Sequence, residues 1–543
     1  MALPFPPTLA AFEVIDWFVL GGYLVTMLVI GVSAAWRESR HKSDTREFFL
    51  GGRSMPTWAL AISIVGSSLS AATFIGAPDY SYGGNLSYLI LNLGGLIAVF
   101  VVGFVFVPRL YNAGTVTIYG YLAQRFGEPA RMGVSVAFLM GRMLASGARL
   151  MMVAVPLCMM VYGVENPEAI SKRNMVLAIL AVGFVGTFYT VFGGIKTVIW
   201  VDVIQFVLVV GAAALTIGLL LHKIPLGAGE IVRVLNDPAN TADGSSKLKL
   251  VDLSTDPRKP FTLWAALSGA LLLNIAAFGV DHDLAQRFLV AKSPGRGALS
   301  VIASQFVSVA VVSMFLLIGL LLFIFYKRPD VMGAAAPGYA PAPNMASYQQ
   351  FMLRELPPVV SGLAITGLFA VAQGSMDSAI NAMASSAVAD LYLPVRKLVG
   401  RPIDPNAPVN APKWAVAVMG AAMTLFAIGC AFAYDPNERG FLDFALGVMA
   451  FAFSGMLAVF FTGLLTRRGN SVSVILALVT GVVAVALMRD TPFQWITGRL
   501  LDEPRRIAFT WAMPVATGLA FLVCVAGRPA AHDDRRGFEG LQS

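Results

Sequence analysis

Residues 362–392 read GLAITGLFAVAQGSMDSAINAMASSAVADLY. As a helix, this segment places Gly374, Ser375, Ser378, Asn381 and Ser385 along one face, at three- and four-residue steps, with Asp377 on its edge. The other positions are apolar, and the segment exceeds the roughly 20 residues that cross a bilayer. A polar stripe on an otherwise apolar helix of this length decides the fold class, because such a stripe must face other helices rather than lipid. A charge at the bilayer centre costs roughly 2.5–3.5 kcal/mol on insertion scales, so Asp377 requires a cavity or a partner. Hydroxyl, carbonyl and carboxylate oxygens are what hard cations accept in place of water. Small and hydroxyl residues also act as glue between helices, but an intramembrane carboxylate among them tips the balance toward a cation path.

The rest of the chain has the same apolar character. Of 543 residues, 57% are hydrophobic and 13% charged, and the mean hydropathy is +0.73. Soluble domains carry about 25% charged residues, so a water-facing surface is excluded. Apolar runs predict spans near 13–35, 56–78, 86–108, 132–162, 175–191, 198–221, 262–283, 298–326, 359–389, 413–434, 441–465, 471–488 and 507–526. The expected architecture is an all-α polytopic membrane protein of about thirteen transmembrane helices.

Short loops on one side of the bundle are basic. They hold Arg37, Arg40, Lys42, Arg46 and Arg53, then Arg109, Arg125 and Arg131, then Arg287, Lys292 and Arg296, then Arg396, Lys397 and Arg401, then Arg467 and Arg468, and the tail on the same side adds Arg528, Arg535 and Arg536. The positive-inside rule makes this side cytoplasmic. The N-terminus is then expected outside and the C-terminus inside a cell membrane, with a bacterial inner membrane the expected setting. This distribution accounts for the net charge of +8 without nucleic acid as a partner. No basic residue precedes Arg37, so the first span does not read as a signal peptide.

Enzyme chemistry finds no support. The histidines His41, His222, His282 and His532 form no HExxH, and no GxSxG occurs. Cys158, Cys430 and Cys524 lie singly in apolar runs and predict neither disulfides nor a metal site. The loops 222–261 and 327–358 and the tail after Gly527 are too short for a catalytic or signalling domain. No organic cofactor and no obligatory protein partner are expected.

Other polar residues stand where lipid disfavours them. Gly66, Ser67, Ser68 and Ser70 interrupt the second span, and unwound backbone there could offer carbonyls to an ion; a packing kink explains them equally well. Asp202 lies a few residues inside the span at 198–221, either at the headgroups or in the bundle. Arg142 and Arg149 share a face of the span at 132–162, with Arg149 too deep to snorkel. Arg149 either neutralises a carboxylate such as Asp377 or Asp202, or holds a substrate carboxylate. Asp281, His282 and Asp283 point in different directions on a helix and are assigned to the cytoplasmic mouth.

A set of motifs runs in order along the chain: DTREFFLGGRSMPTW at 44–58, FIGAPDYSYGG at 74–84, TIYGYLAQRFG at 117–127, FGGIKTVIWVDVIQ at 192–205, QRFLVAK at 286–292, the 374–385 stripe with DLY at 390–392, and GMLAVFFTGLLTRRGN at 455–470. Together they resemble the sodium/solute symporter family, whose members include carriers of galactose, proline, pantothenate, sialic acid and iodide, over about residues 13–490. The resemblance implies a LeuT-like core of two inverted five-helix repeats, 56–222 and 262–466, with the first helix of each repeat broken at the midplane. Residues 1–55 would form an extra helix and loop, 467–526 two C-terminal helices, and 527–543 a cytoplasmic tail.

The resemblance also implies sodium as coupling ion and a small organic solute as cargo, imported by alternating access. The shared sodium site falls on Gly66, Leu69, Val371, Gly374 and Ser375. Here Gly374 replaces the first of two usual hydroxyl residues. A second site used by some members falls on Asp202, Gly374, Asp377 and Ser378, and Asp377 stands where a hydroxyl is usual. The carboxylate is inferred to take over the ligand role lost at Gly374, for a second sodium or for a proton shared between Asp202 and Asp377. Of the positions that grip galactose (Ala72, Thr73, Asn92, Asn274, Ser308 and Leu446) only Asn274 keeps its residue type, which argues against galactose. Arg149 falls close to the arginine that holds the carboxylate in sialic acid carriers. A carboxylate-bearing solute is therefore favoured over a sugar, in a site beside Thr73, Asn92, Arg149 and Asn274. A proton-coupled symporter and a transporter-like membrane sensor are the alternatives.

Overall fold

The computed structural model describes residues 13–40, 45–70, 72–162, 169–241, 244–339, 341, 346–400, 410–433, 440–500 and 505–529. The principal helices are α1 (Val14–Arg40), α2 (Thr57–Ser68), α3 (Ala77–Gly83), α4 (Ser87–Asn112), α5 (Glu128–Tyr162), α6 (Lys172–Lys223), α7 (Leu271–Gly279), α8 (His282–Leu289), α9 (Pro294–Lys327), α10 (Val360–Ser386), α11 (Asn410–Ala433), α12 (Gly440–Leu465), α13 (Ser471–Leu487) and α14 (Phe509–Ala526). Every span expected from the apolar runs coincides with one of these helices or with a bent pair of them.

Two expected spans, 175–191 and 198–221, lie within the single run α6, which reverses at Gly194 (φ 53°, ψ −165°). This backbone falls in the left-handed half of the map, where glycine is at home. A Cβ there would also meet Phe48 O at 2.7 Å. Before the turn, Gly186 faces Gln373 and Met376 of α10; after it, Gly66 and Gly374 face Asp202, and Gly367 faces Leu208 and Ala212. The two limbs therefore run along α10 in opposite directions.

Of the three bent helix pairs among the described residues, two bear on the site. Between α2 and α3 the backbone leaves the helix at Leu69 (φ −65°, ψ 141°). The sequence GSSLS is poor in helix formers, and Pro78 sits at the first turn of α3. Between the segment Leu263–Gly279 and α8 the axis bends by 53°. Asp281 caps α8 by accepting from the Asp283 N–H at 3.0 Å.

The helix that decided the fold class lies at the centre. Every residue of α10 from Ala364 to Ser386 is buried, as expected of a helix enclosed on all sides. Its N-terminus is capped from outside its own sequence. Asp16 of α1 accepts through Oδ1 from Val359 N (2.8 Å), Gly362 N (2.9 Å) and Ser361 Oγ (2.9 Å). The cap holds Val359 at φ 71°, a conformation that β-branched residues otherwise avoid.

A second anchor comes from the 222–261 loop. Lys247 is fully buried, and its Nζ donates to Ser81 O, Tyr82 O and Gly84 O at 3.1, 2.9 and 2.7 Å. It also lies 4.0 Å from the Phe323 ring centroid. A cation at the carbonyl end of α3 complements the helix dipole, and burial pushes the ammonium down to about 8. The three cysteines are free and buried.

Asp16→Ala leaves two amides at the head of α10 without an acceptor. It should lower unfolding stability by about 1–3 kcal/mol, and Lys247→Met should have a similar effect at α3. Thermal unfolding of the purified protein in detergent checks both; an unchanged midpoint would show that the corresponding anchor is idle.

Candidate functional site

The two broken spans meet α6 and α10 at one buried polar cluster, and Arg287 of α8 is its hub. Its side chain is fully buried. Nη2 donates to Ser67 Oγ of α2 at 2.7 Å, to Ser378 Oγ of α10, and to Asp202 Oδ2 of α6 at 3.3 Å. Nε donates to Ser63 Oγ at 3.2 Å, and Nη1 to Asp283 Oδ1 at 2.8 Å. Ser63 Oγ in turn donates to Asp202, and Ser67 Oγ lies 2.8 Å from Ser378 Oγ.

Arg287 therefore does not belong to the basic cytoplasmic loops in which the positive-inside rule counted it. The break before α8 turns that helix back into the bundle and carries the arginine with it. The same break corrects the reading of Asp281, His282 and Asp283. They are buried, at 1%, 0% and 1% exposure, rather than at a mouth. Arg142 of α5 pairs with Asp281 at 3.1 Å and with Asp283. The His282 ring lies near those of Tyr119 and Phe138, with Nε2 3.2 Å from Ser385 Oγ.

The stripe on α10 divides in two. Its lower part is largely glue: Ser378, Asn381 and Ser385 meet Arg287, Gln286 and His282 of α8. Its upper part faces the break in α2. Ser375 Oγ donates to Leu69 O at 3.1 Å and to Ser67 O at 3.3 Å. Gly66 lies against Asp202, so that a Cβ there would be 3.5 Å from Asp202 O. Val371 is buried one turn before Ser375. The break thus sets Leu69 against Ser375 and places Gly66 and Gly374 each against Asp202, while Val371 belongs to the same apolar cluster as Leu69.

At Gly374 a neighbour fills the space of the lost side chain. A Cβ on Gly374 would lie 2.6 Å from Gln205 Oε1 and 3.5 Å from Asp202 Oδ1. Both oxygens are buried and lack a hydrogen-bond partner among the described residues. Asp377 turns to the other limb of α6: its carboxylate accepts from the Tyr189 hydroxyl and from Ser378 N at 2.7 Å. Formally, four carboxylates (Asp202, Asp281, Asp283 and Asp377) stand in this cluster against two paired guanidiniums, Arg142 and Arg287, with Arg149 a third positive charge near enough to Asp281 and Asp283 to act on them. A buried excess of negative charge calls for a cation or a proton.

The expected solute residues are more dispersed. Thr73 lies in the wound turn Ala72–Gly76 before α3. Asn92 accepts from Gln305 Nε2 at 3.2 Å and donates to Leu89 O at 3.3 Å. Asn274 Nδ2 donates to Ala270 O of its own helix at 2.8 Å. Arg149 is half-buried in α5, and no hydrogen bond or ion pair of its guanidinium occurs among the described residues. No hydrogen bond joins these four directly.

Residues 48–481 match the sodium:solute symporter family. The chain belongs to this family. The symporter is 26% identical to the sodium/sialic acid symporter SiaT of Proteus mirabilis (strain HI4320), over 88% of this chain and 90% of that one. It is also 26% identical to the sodium-coupled monocarboxylate transporter 1 of Xenopus laevis (88% and 72% covered) and to the human sodium/iodide cotransporter (88% and 69%). Among solved structures, a substrate-bound, outward-open sodium-coupled sialic acid symporter superposes with a TM-score of 0.77 at 23% identity, covering 95% of this chain and 97% of that one. The fold is LeuT-like, as the resemblance implied. The symporter is a multi-pass, sodium-coupled solute carrier and not an enzyme.

Arg287, Ser63, Gln205, Tyr189 and Tyr23 were not singled out from sequence. Arg287 and Gln205 stand inside quoted motifs, and the helix break and the α6 reversal give them their roles. Removing Arg287 strands a buried carboxylate, so Arg287→Met should cost about 3–5 kcal/mol of stability. Adding Asp202→Asn to that variant should restore much of the loss. A double-mutant cycle of thermal unfolding tests this, and strictly additive effects would show that the pair does not act together.

Proposed function

We propose that this symporter imports an organic carboxylate together with sodium by alternating access. Arg149 is the observation that carries the substrate class. Arg142, about two turns earlier, has both its carboxylates. Arg149 has no carboxylate within ion-pair distance among the described residues, and Asp281 and Asp283 act on it only from farther off, although a charge at that depth is costly to leave unpaired. A solute carboxylate would satisfy it with a bidentate pair, and Thr73, Asn92 and Asn274 would supply neutral donors and acceptors beside it. The relatives named above carry sialic acid, monocarboxylates and iodide, all of them anions. This supports a positive group in the solute site.

Sodium would bind between Gly66, Leu69, Val371, Gly374 and Ser375, where a broken helix exposes carbonyls next to a hydroxyl. Asp202, Asp377 and Ser378 would form the second ion site. Tyr189 and the Ser378 amide are neutral, so Asp377 would take either a second sodium or a proton. Residues 56–222 and 262–466 would rock as inverted repeats, with 1–55, 467–526 and 527–543 outside them. The N-terminus would face outward and the tail the cytoplasm of a bacterial inner membrane. Ion and solute couple because each binds one conformation better than another.

Proteoliposomes under an inward sodium gradient, screened over carboxylates and sugars, test this reading. Uptake of a carboxylate should collapse when choline replaces sodium. Arg149→Ala should raise the KM for that solute by about 10- to 100-fold, the loss of one charged hydrogen-bonded pair. A sugar as the only cargo, or an unchanged KM in the variant, would remove the carboxylate reading.

A further inference from the structure

Gln205 has two ends, and the structure gives them different surroundings. Its Nε2 donates to the Tyr23 hydroxyl at 2.9 Å, and that hydroxyl donates to Gln373 Oε1 at 2.9 Å. A phenol has one proton. With the Gln373 carbonyl facing it, Tyr23 gives its proton to Gln373 and accepts from Gln205, which leaves Gln373 Nε2 without a partner among the described residues and the Gln205 carbonyl pointing the other way. That direction leads to Gly374 and to the unpartnered Oδ1 of Asp202. Tyr23, Gln205 and Gln373 are 6%, 2% and 0% exposed, so no bulk water competes for the relay. The Tyr23 ring is held edge-on to Phe369 of α10, with centroids 6.0 Å apart.

Tyr23 belongs to α1, which lies outside the two repeats. That helix is fixed to α10 at a second point, the Asp16 cap on Val359 and Gly362. Two polar contacts therefore set α1 in register with the helix whose stripe faces the α2 break. We propose that Tyr23 is a positioning residue for cation binding, its hydroxyl orienting the Gln205 amide so that the carbonyl faces Gly374 and Asp202. This rests on the reading that sodium binds along the seam of α2, α6 and α10. The extra helix is thereby part of the ion site, although it contributes no ligand. Without the hydroxyl the amide can turn its NH2 group toward Asp202, offering a donor where a cation needs an oxygen.

The test uses sodium alone, since the cargo is not identified. Binding of radioactive sodium to the purified full-length protein is titrated in detergent, with choline chloride holding ionic strength constant. Tyr23→Phe keeps the ring against Phe369 and should raise the sodium Kd about 5- to 20-fold, the loss of roughly one to two hydrogen bonds of orientation. Its sodium-free unfolding temperature should fall as well, because Gln205 Nε2 and Gln373 Oε1 lose a buried partner. The separating readout is the rise in unfolding temperature on adding sodium, which should shrink in Tyr23→Phe but persist in full in Lys247→Met, a destabilising change at α3. Gln205→Leu should weaken binding at least as much, and Tyr23→Phe added to it should do nothing further. A Kd within twofold of the parent in Tyr23→Phe, or additive effects in the double variant, overturns the proposal. Absence of saturable sodium binding in the parent protein would instead sink the ion-site reading on which it rests, and this inference with it.

Discussion

The buried guanidinium of Arg287 is the constraint on which the rest of the bundle depends. One side chain reaches hydroxyls or carboxylates on α2, α6, α8 and α10. A charge so enclosed is tolerated only if its donors are met. Four helices must therefore arrive in one arrangement before the cluster becomes stable. That requirement explains why α8 turns back at Asp281, and why Ser63 and Ser67 stand one turn apart on α2. It also ties both broken spans to a single point.

The polar stripe of α10 serves two purposes that look alike in sequence. Toward α8 its hydroxyls and amide are spent on side chains and fasten two helices. Toward α2, Ser375 meets the Ser67 and Leu69 carbonyls at the break, and these are the oxygens to which the proposed ion site looks. A periodic run of serines does not reveal which part does which. The neighbours decide, and they come from distant parts of the chain.

This explains how much could be read beforehand. The spans were legible because lipid enforces length and apolarity, and the first broken pair showed as glycine and serine inside an apolar run, whereas the second was expected only from the resemblance. The LeuT-like core followed from ordered motifs. Arg287 and the Asp281–Asp283 group were misplaced because loop counting treats any charge at a span end as interfacial. A helix that bends by 53° and re-enters the bundle defeats that rule. Asp202 stayed ambiguous for a similar reason: a position a few residues past a turn is interfacial only if the turn lies at the surface. The Gln205–Tyr23–Gln373 relay left no local signal, since glutamine and tyrosine within spans are common and their meeting depends on three separate helices.

The close approach at Gly374 has a consequence for how this chain can vary. A Cβ there would run into Gln205 Oε1, so positions 205 and 374 compete for one volume. A side chain at 374 fits only if the flexible end of Gln205 swings aside. Such a swing would carry the Gln205 carbonyl away from Asp202, so the cost of any residue larger than glycine at 374 falls on the orientation of an amide rather than on the backbone.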